Sequence, residues 1–142
     1  MKKFLSTLLL TSCLLVTGCE TSHSSGSAKN SLEAKGYTVS HYESDAEVKA
    51  HIAGFNFEGF TVSSAILARK GEGTTADVFV AFYFSSIATA SSFNDRNNNE
   101  NLITMTRFLD SNLGPDMQPK VGQKDNVCYG CSTVAYAIVF GN

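Results

Sequence analysis

The chain contains no tryptophan, only two prolines, and few charged side chains, which make up 17% of its 142 residues. Beyond Lys2-Lys3 it has no basic run longer than the pair Arg69-Lys70. Nucleic-acid backbones select clustered basic side chains, so this composition argues against nucleic acid as a partner. A hydrophobic content of 43% is instead sufficient for one domain with an apolar core.

Ligands for a metal ion are also scarce. Cys128 and Cys131 form a C-x-x-C pair, but no second such pair and no closely spaced histidine pair accompanies it, whereas zinc prefers four ligands. Ser132 stands where a c-type haem site requires histidine. We therefore predict no metal and no haem cofactor.

The amino-terminal residues have the pattern of a secretory signal. Lys2 and Lys3 precede an apolar stretch over residues 4–16, which is shorter than the roughly twenty residues of a membrane-spanning helix. A basic start, a short apolar run and small residues after it are typical of a cleaved signal peptide. We assign residues 1–18 to this signal.

The signal ends in Val16-Thr17-Gly18-Cys19, which resembles the lipobox of bacterial lipoprotein precursors. The resemblance implies that the Cys19 thiol receives diacylglycerol, that cleavage follows Gly18, and that an N-acyl chain is added to Cys19. It implies an extracytoplasmic protein anchored by lipid to the cell membrane or the outer membrane. The alternative is an ordinary signal in which the cysteine is incidental.

The mature chain is predicted to have two parts. Residues 19–29 form the lipidated cysteine and a flexible, Ser-rich tether in which His23 is solvated. Residues 30–142 form a single globular domain, whose first helix is capped by Asn30 and Glu33 and closed by Gly36. Loss of Lys2 and Lys3 leaves nine basic and thirteen acidic residues, a formal charge of −4.

Apolar periodicity predicts an α+β domain. Strands are expected at residues 37–42, 60–69, 78–84 and 126–129, and the third is apolar on both faces. Helices are expected after Ser44, from a cap at Ser85 or Ser86 with an interruption at 97–101, and over 132–140, where a strand is the alternative. This β-α-β-β-α-β order with extra terminal helices resembles the ferredoxin-like arrangement, a small antiparallel sheet with helices on one face.

A second resemblance covers most of the mature chain. Its opening and closing motifs are similar to those of small uncharacterised lipoprotein domains of Gram-positive bacteria. These domains imply no chemistry that could be carried over. The matching positions are Leu32, Gly36, Tyr37 and Val39, then Val127, Tyr129 and Gly130.

Cys128 and Cys131 remain as the free thiols of the mature protein once Cys13 is removed and Cys19 is lipidated. Thiols outside the cytoplasm tend to pair, which favours a short-loop disulfide. A helix starting after Gly130 would instead lower a thiolate pKa and permit redox activity. A reduced pair is the third possibility.

Phe55, Phe57 and Phe60 lie in a glycine-flanked connection between predicted elements. Aromatic side chains there are a candidate contact patch for an envelope protein or a small ligand. The alternative is that they form a lid over the sheet.

Together these observations favour a non-enzymatic, membrane-tethered binding or envelope-associated module. The alternative from another class is an extracytoplasmic thiol–disulfide protein that uses the C-x-x-C pair.

Overall fold

The computed structural model describes residues 22–141, except for the side chains of residues 96–98. The helices in this range are α1 (Ser25–Ala34), α2 (Asp45–His51), α3 (Ile87–Asn112) and α4 (Thr133–Phe140). The strands are β1 (Thr38–Tyr42), β2 (Ser64–Lys70), β3 (Asp77–Tyr83), β4 (Pro119–Lys124) and β5 (Val127–Ser132). The signal peptide and Cys19 lie outside the described residues, so their assignments stay predictions.

The five strands form one antiparallel sheet in the order β1-β2-β3-β5-β4. The α+β class is confirmed, as is the predicted chain order apart from one additional strand, β4. The strand order differs from the ferredoxin-like arrangement. A split β-α-β unit joins two parallel strands that are separated by another strand, whereas α2 here joins β1 and β2, which are antiparallel neighbours. β4 escaped prediction because its polar sequence, PKVGQK, does not alternate, and it lies at an edge, where Pro119 is tolerated.

Side chains from the sheet enter two apolar cores, one on each face. The α1/α4 core joins α1 and α4 to strand residues such as Phe79, and the α2/α3 core joins α2 and α3 to residues such as Phe82. β3 is buried at all seven positions, as predicted for a central strand. The prediction of helices on one face is wrong, because a strand that is apolar on both faces needs cover on both.

Helix α1 begins at Ser25 rather than at Asn30. The Ser24 side chain caps it by accepting a backbone hydrogen bond from the first turn. Ala28 is buried in the α1/α4 core. Residues 25–29 therefore belong to a packed helix and not to a flexible tether, which corrects the predicted domain boundary.

Two predicted helix ends are confirmed by their hydrogen bonds. Gly36, just after the C-cap of α1, terminates this helix with φ +92°. The Tyr37 amide donates to the Leu32 carbonyl at 3.1 Å in a Schellman motif. The carboxyl-terminal segment is a helix, since Ser132 Oγ accepts a hydrogen bond from the Ala135 amide at 2.9 Å. α4 consequently follows β5 directly and covers the α1/α4 core.

Helix α3 bends sharply where an interruption was predicted. Asn99 has the left-handed φ of 68°. Asn101 Nδ2 donates to the Phe93 carbonyl at 3.0 Å, although residues eight apart in a straight helix are separated by about 12 Å. The bend allows both halves of α3 to pack on the same face of the sheet, which Phe93 and Met105 share.

Candidate functional site

The cysteines of the C-x-x-C pair lie within strand β5 and not in a loop. Successive strand residues face opposite sides, so Cys128 enters the α2/α3 core and Cys131 the α1/α4 core. Both thiols are free. Three strand residues span about 10 Å, whereas disulfide-linked Cα atoms lie within about 7 Å. The predicted short-loop disulfide is therefore not formed in this fold.

Neither thiol has the surroundings of a reactive cysteine. Burial raises the pKa of Cys128 to about 12, with a smaller contribution from the Asp95 charge. Burial, followed by the charge of Asp77, also raises the pKa of Cys131. Cys128 Sγ donates to the Ala90 carbonyl at 3.0 Å. Because the thiolate is the reactive form, this geometry gives no support to the redox alternative.

Gly130, between the two cysteines, has a packing role. A Cβ atom at this position would meet Cγ and Sδ of Met105 well inside van der Waals contact, and Leu109 Cγ at 3.6 Å. The missing side chain lets α3 approach β5 closely. The C-x-x-C residues therefore have a packing role in a strand that lies between two helix layers.

The aromatic residues of the connection between α2 and β2 are half-buried in the α2/α3 core. The ring centroids of Phe55 and Phe57 lie 4.8 and 5.4 Å from that of Phe82. Phe60 meets the ring of Phe93 edge-on at 5.4 Å. Such edge-to-face contacts are favourable packing. Their placement corresponds to the lid alternative rather than to an exposed contact patch.

A serine–histidine network lies at the start of α1. Ser64 Oγ donates to Ser25 Oγ at 2.6 Å, and Ser25 Oγ lies 2.9 Å from His41 Nε2. A serine beside a histidine is the beginning of a nucleophile–base pair. However, Ser25 is only 8% exposed, and Glu43 lies 4.0 Å from His41 Nδ1, beyond hydrogen-bonding distance. The network fixes α1 to β1 and β2.

The chain segment that precedes α1 is held by the turn between β4 and β5. The His23 amide donates to Asn126 Oδ1 at 2.8 Å, and Asn126 Nδ2 donates to the His23 carbonyl at 3.2 Å. His23 Nε2 lies 2.8 Å from Asp125 Oδ2, and its ring meets that of Phe140 edge-on at 5.2 Å. His23 is therefore packed against the domain, whereas the sequence predicted a solvated side chain. We call His23, Asp125, Asn126 and Phe140 the amino-terminal junction.

Sequence reasoning missed this junction and the serine network for the same reason. Ser25 and His23 fall in a stretch whose polar composition predicts a tether. The partners of His23 lie about a hundred residues away in the chain, as the separation of 103 to Asn126 shows. The only local signal was the run of serines, which is also typical of a helix N-cap.

An open cavity of about 280 Å³ lies beside Val134, at the amino-terminal end of α4. Among its lining residues, Tyr37 donates its hydroxyl hydrogen to Asp77 Oδ2 at 2.5 Å, and the Val78 amide donates to Oδ1 at 2.8 Å. Burial and the hydrogen bond to Asp77 raise the pKa of Tyr37. Lys70 Nζ lies 5.4 Å from the Tyr37 ring centroid. This hydrogen-bonded pair joins the residue that precedes β1 to the first residue of β3.

Two further features of the described residues bear on the class of site. In residues 22–141, no group of three or more His, Cys, Asp or Glu side chains is placed to hold a metal ion. The helices of that range include none with the length and apolar character needed to cross a bilayer. The described residues therefore offer packing networks and surfaces as the features from which a function can be argued.

The comparisons with known proteins add no relative to these observations. No family model, no curated protein and no solved structure matches the chain. The function must therefore be inferred from the residues themselves.

Proposed function

We propose that this chain is a bacterial lipoprotein whose Cys19 carries diacylglycerol and an N-acyl chain. The lipid holds the domain on the extracytoplasmic side of the cell membrane or the outer membrane. The observation that carries the proposal is the motif Val16-Thr17-Gly18-Cys19 at the end of a short apolar run. Two or more acyl chains are sufficient for stable membrane attachment.

We infer further that the domain is a non-enzymatic binding or envelope-associated module. Four described side chains with catalytic potential have structural roles, which supports this inference. The two thiols are sealed in separate cores, Ser25 is held by two hydrogen bonds, and Asp77 is held by Tyr37. In this proposal the domain functions by binding a partner through its surface.

The anchor is tested by growing cells that express the protein with a labelled fatty acid. The native chain should incorporate label and sediment with the membranes, because the acyl chains are covalent. Cys19→Ala should lose both properties. Cys13→Ala is the matched control, since it removes a cysteine from the same signal and leaves the lipobox intact. Label on Cys19→Ala, or an unacylated native chain, would refute the proposal.

A further inference from the structure

We propose that the face formed by α1 and α4 lies directly against the anionic surface of the bilayer that holds Cys19. This orientation rests on the proposed lipid anchor and adds to it a surface and a partner. It replaces the expectation of a domain that stands away from the membrane on a flexible tether. Three independent observations lead to it: the reach of the chain, the apolar character of α4, and the distribution of charge.

The reach of the chain limits where the anchor can be. His23 is fixed in the amino-terminal junction by both backbone groups, through Asn126. Four Cα-to-Cα steps separate it from Cys19, and such a segment spans at most about 14 Å. The lipidated residue therefore lies within that distance of His23, whose ring contacts Phe140 at the end of α4. The bilayer surface must therefore lie near the same end of the helix.

Helix α4 is unusually apolar for an outer helix. Its sequence, TVAYAIVF, has no charged residue, yet Ala135 is its only buried residue. Val134 is 52% exposed, and residues 136–140 are half-buried. An open groove of about 520 Å³ runs between α1 and α4, beside Ala137 and Ile138. A helix that is apolar on all sides normally requires cover, and a helix with one half-exposed apolar side suits the membrane interface.

The charge on this face is complementary to acidic lipid headgroups. Residues on one side of a strand pair share a face, and by this rule three strand lysines lie on the α1/α4 side. Two further lysines lie within α1 or directly after it. The five lysines are Lys29, Lys35, Lys70, Lys120 and Lys124. Three of the acidic side chains near this face are engaged: Glu33 with Lys29 at 2.9 Å, Asp77 with Tyr37, and Asp125 with His23. Lysines beside a bilayer are attracted by anionic lipids.

Lys120 shows how such a residue would sit at the interface. Its Nζ lies 4.6 Å from the ring centroid of Tyr136 on α4. This is a cation–π contact of the Lys120 ammonium group, and it joins an exposed basic side chain to an aromatic ring, the two kinds of side chain that membrane interfaces select. The same basic side chains and apolar helix thus present both parts of an interfacial surface.

The opposite face carries no such excess of basic side chains, even with Arg69 of β2, whose guanidinium donates to Asn112 Oδ1 of α3 at 3.0 Å. Helices α2 and α3 carry five acidic residues and three basic ones, although the mature chain as a whole is only moderately acidic. The acidic residues are Asp45, Glu47, Asp95, Glu100 and Asp110, and the basic ones are Lys49, Arg96 and Arg107. Lys49 is already paired with Asp45 at 2.9 Å. An anionic membrane therefore favours one of the two faces.

The orientation is tested with the full lipidated protein in vesicles that contain a nitroxide-bearing phosphatidylcholine as quencher. A bimane label is placed on Val134→Cys or, as matched control, on Ile103→Cys. These are the exposed large hydrophobic residues of the described chain, 52% and 46% exposed, and they lie on α4 and α3. Cys128 and Cys131 are 1% and 0% exposed, so the native chain should take no label.

In vesicles of phosphatidylcholine with phosphatidylglycerol, we expect the emission at residue 134 to shift to the blue and to lose most of its intensity. The emission at residue 103 should change little. Quenching at residue 134 should weaken in vesicles of phosphatidylcholine alone, because the lysines then lose their partners. Equal quenching at both positions, or none at residue 134, would overturn the orientation, as would quenching independent of lipid charge.

Flotation of the vesicles separates this inference from the proposed function. Protein that floats with the vesicles while residue 134 stays unquenched would retain the anchor and refute the orientation. Native protein that does not float would refute the anchor itself. Protection of residue 134 in whole cells but not in purified vesicles would assign α4 to a protein partner, and would also overturn the bilayer proposal.

Discussion

The two faces of the sheet are filled with different aromatic residues. On the α2/α3 side, rings of phenylalanine pack against each other around Phe93, which contacts Phe57, Phe60, Phe82 and Phe84 at centroid distances of 5.1–5.7 Å. On the α1/α4 side, tyrosines predominate, and polar atoms such as those of the Tyr37–Asp77 pair are buried with them. The lid covers the first face beside a cavity of about 130 Å³ that Phe55 lines, and a cavity of about 310 Å³ lies at the end of α3. The second face is bordered by open cavities of about 520 and 280 Å³ beside α4.

This difference separates a face that stabilises the fold from a face that is available for contact. Phenylalanine contributes apolar area and packing alone, whereas tyrosine and lysine combine an apolar body with a polar end. Surfaces at membrane and protein interfaces use the second kind of side chain. Stability and surface function should therefore respond to substitution on different faces of the same sheet.

The largest effect is expected from Phe93→Ala. Phe93 is 1% exposed and its ring contacts four others, so its loss should reduce the free energy of unfolding by about 3–5 kcal/mol. Phe140→Ala on α4 removes a ring that is only half-buried and should cost clearly less. Urea denaturation of both variants checks this, and equal losses would contradict the contrast between the faces.

The polar contacts of the α1/α4 side are tested by a pair of tyrosine substitutions. Tyr37→Phe removes the donor to Asp77 and leaves a buried carboxylate without it, which should cost about 1.5–3 kcal/mol. Tyr83→Phe removes a buried hydroxyl that has no hydrogen-bond partner, and should be neutral or stabilising. The difference in denaturation midpoint between the variants is the measurement. Equal destabilisation would show that the Asp77 contact contributes nothing specific.

The strand shared by both faces is tested at Gly130. Gly130→Ala directs a methyl group into Met105 and should cost about 1–3 kcal/mol through overpacking of α3 on β5. Gly73→Ala is a poor control because of its positive φ, but Gly26→Ala adds a Cβ with only the Ser24 hydroxyl nearby, at 3.6 Å. Thermal unfolding should show a lower midpoint for Gly130→Ala alone. An unchanged midpoint would mean that α3 is not seated closely on β5.

The elements that the sequence predicts well are those determined by neighbouring residues. Capping by Ser44 and Ser132, termination at Gly36, and the burial of β3 on both faces are all confirmed. Each depends on side chains within a few positions of one another. Local chemistry of this kind can be recognised without knowledge of the tertiary contacts.

The predictions that were wrong concern placement between distant segments. The junction of His23 with Asn126 joins residues 103 apart, and no local pattern indicates it. Two errors had signals in the sequence. A strand that is apolar on both faces implies two helix layers. Two cysteines three positions apart point to opposite faces when both belong to the same strand, as Cys128 and Cys131 do.

The smallest effect at neutral pH is expected from the thiols, one of which lies in each core. The native mature protein should not react with a thiol reagent at about pH 8, and after unfolding without reductant two thiols should react. Folding raises the pKa of both Cys128 and Cys131, while the unfolded chain ionises them near 8.5. The protonated thiols therefore contribute fully to the free energy of unfolding below that pH. This contribution is lost as the pH rises, by up to about 1.4 kcal/mol per pH unit for each thiol.

The window from about pH 8.5 to 10 isolates this effect, because the buried tyrosines, whose pKa values are also raised, ionise in the unfolded chain only near pH 10. In this pH window, Cys128→Ala and Cys131→Ala should each remove part of the decline in the free energy of unfolding. The two effects should be similar, since burial is the main cause of the raised pKa of both thiols. A decline that only one substitution relieves would mean that one face admits water to its thiol. An unfolded chain without reactive thiols would instead show that the cysteines are bonded, which their positions on opposite faces of β5 do not allow.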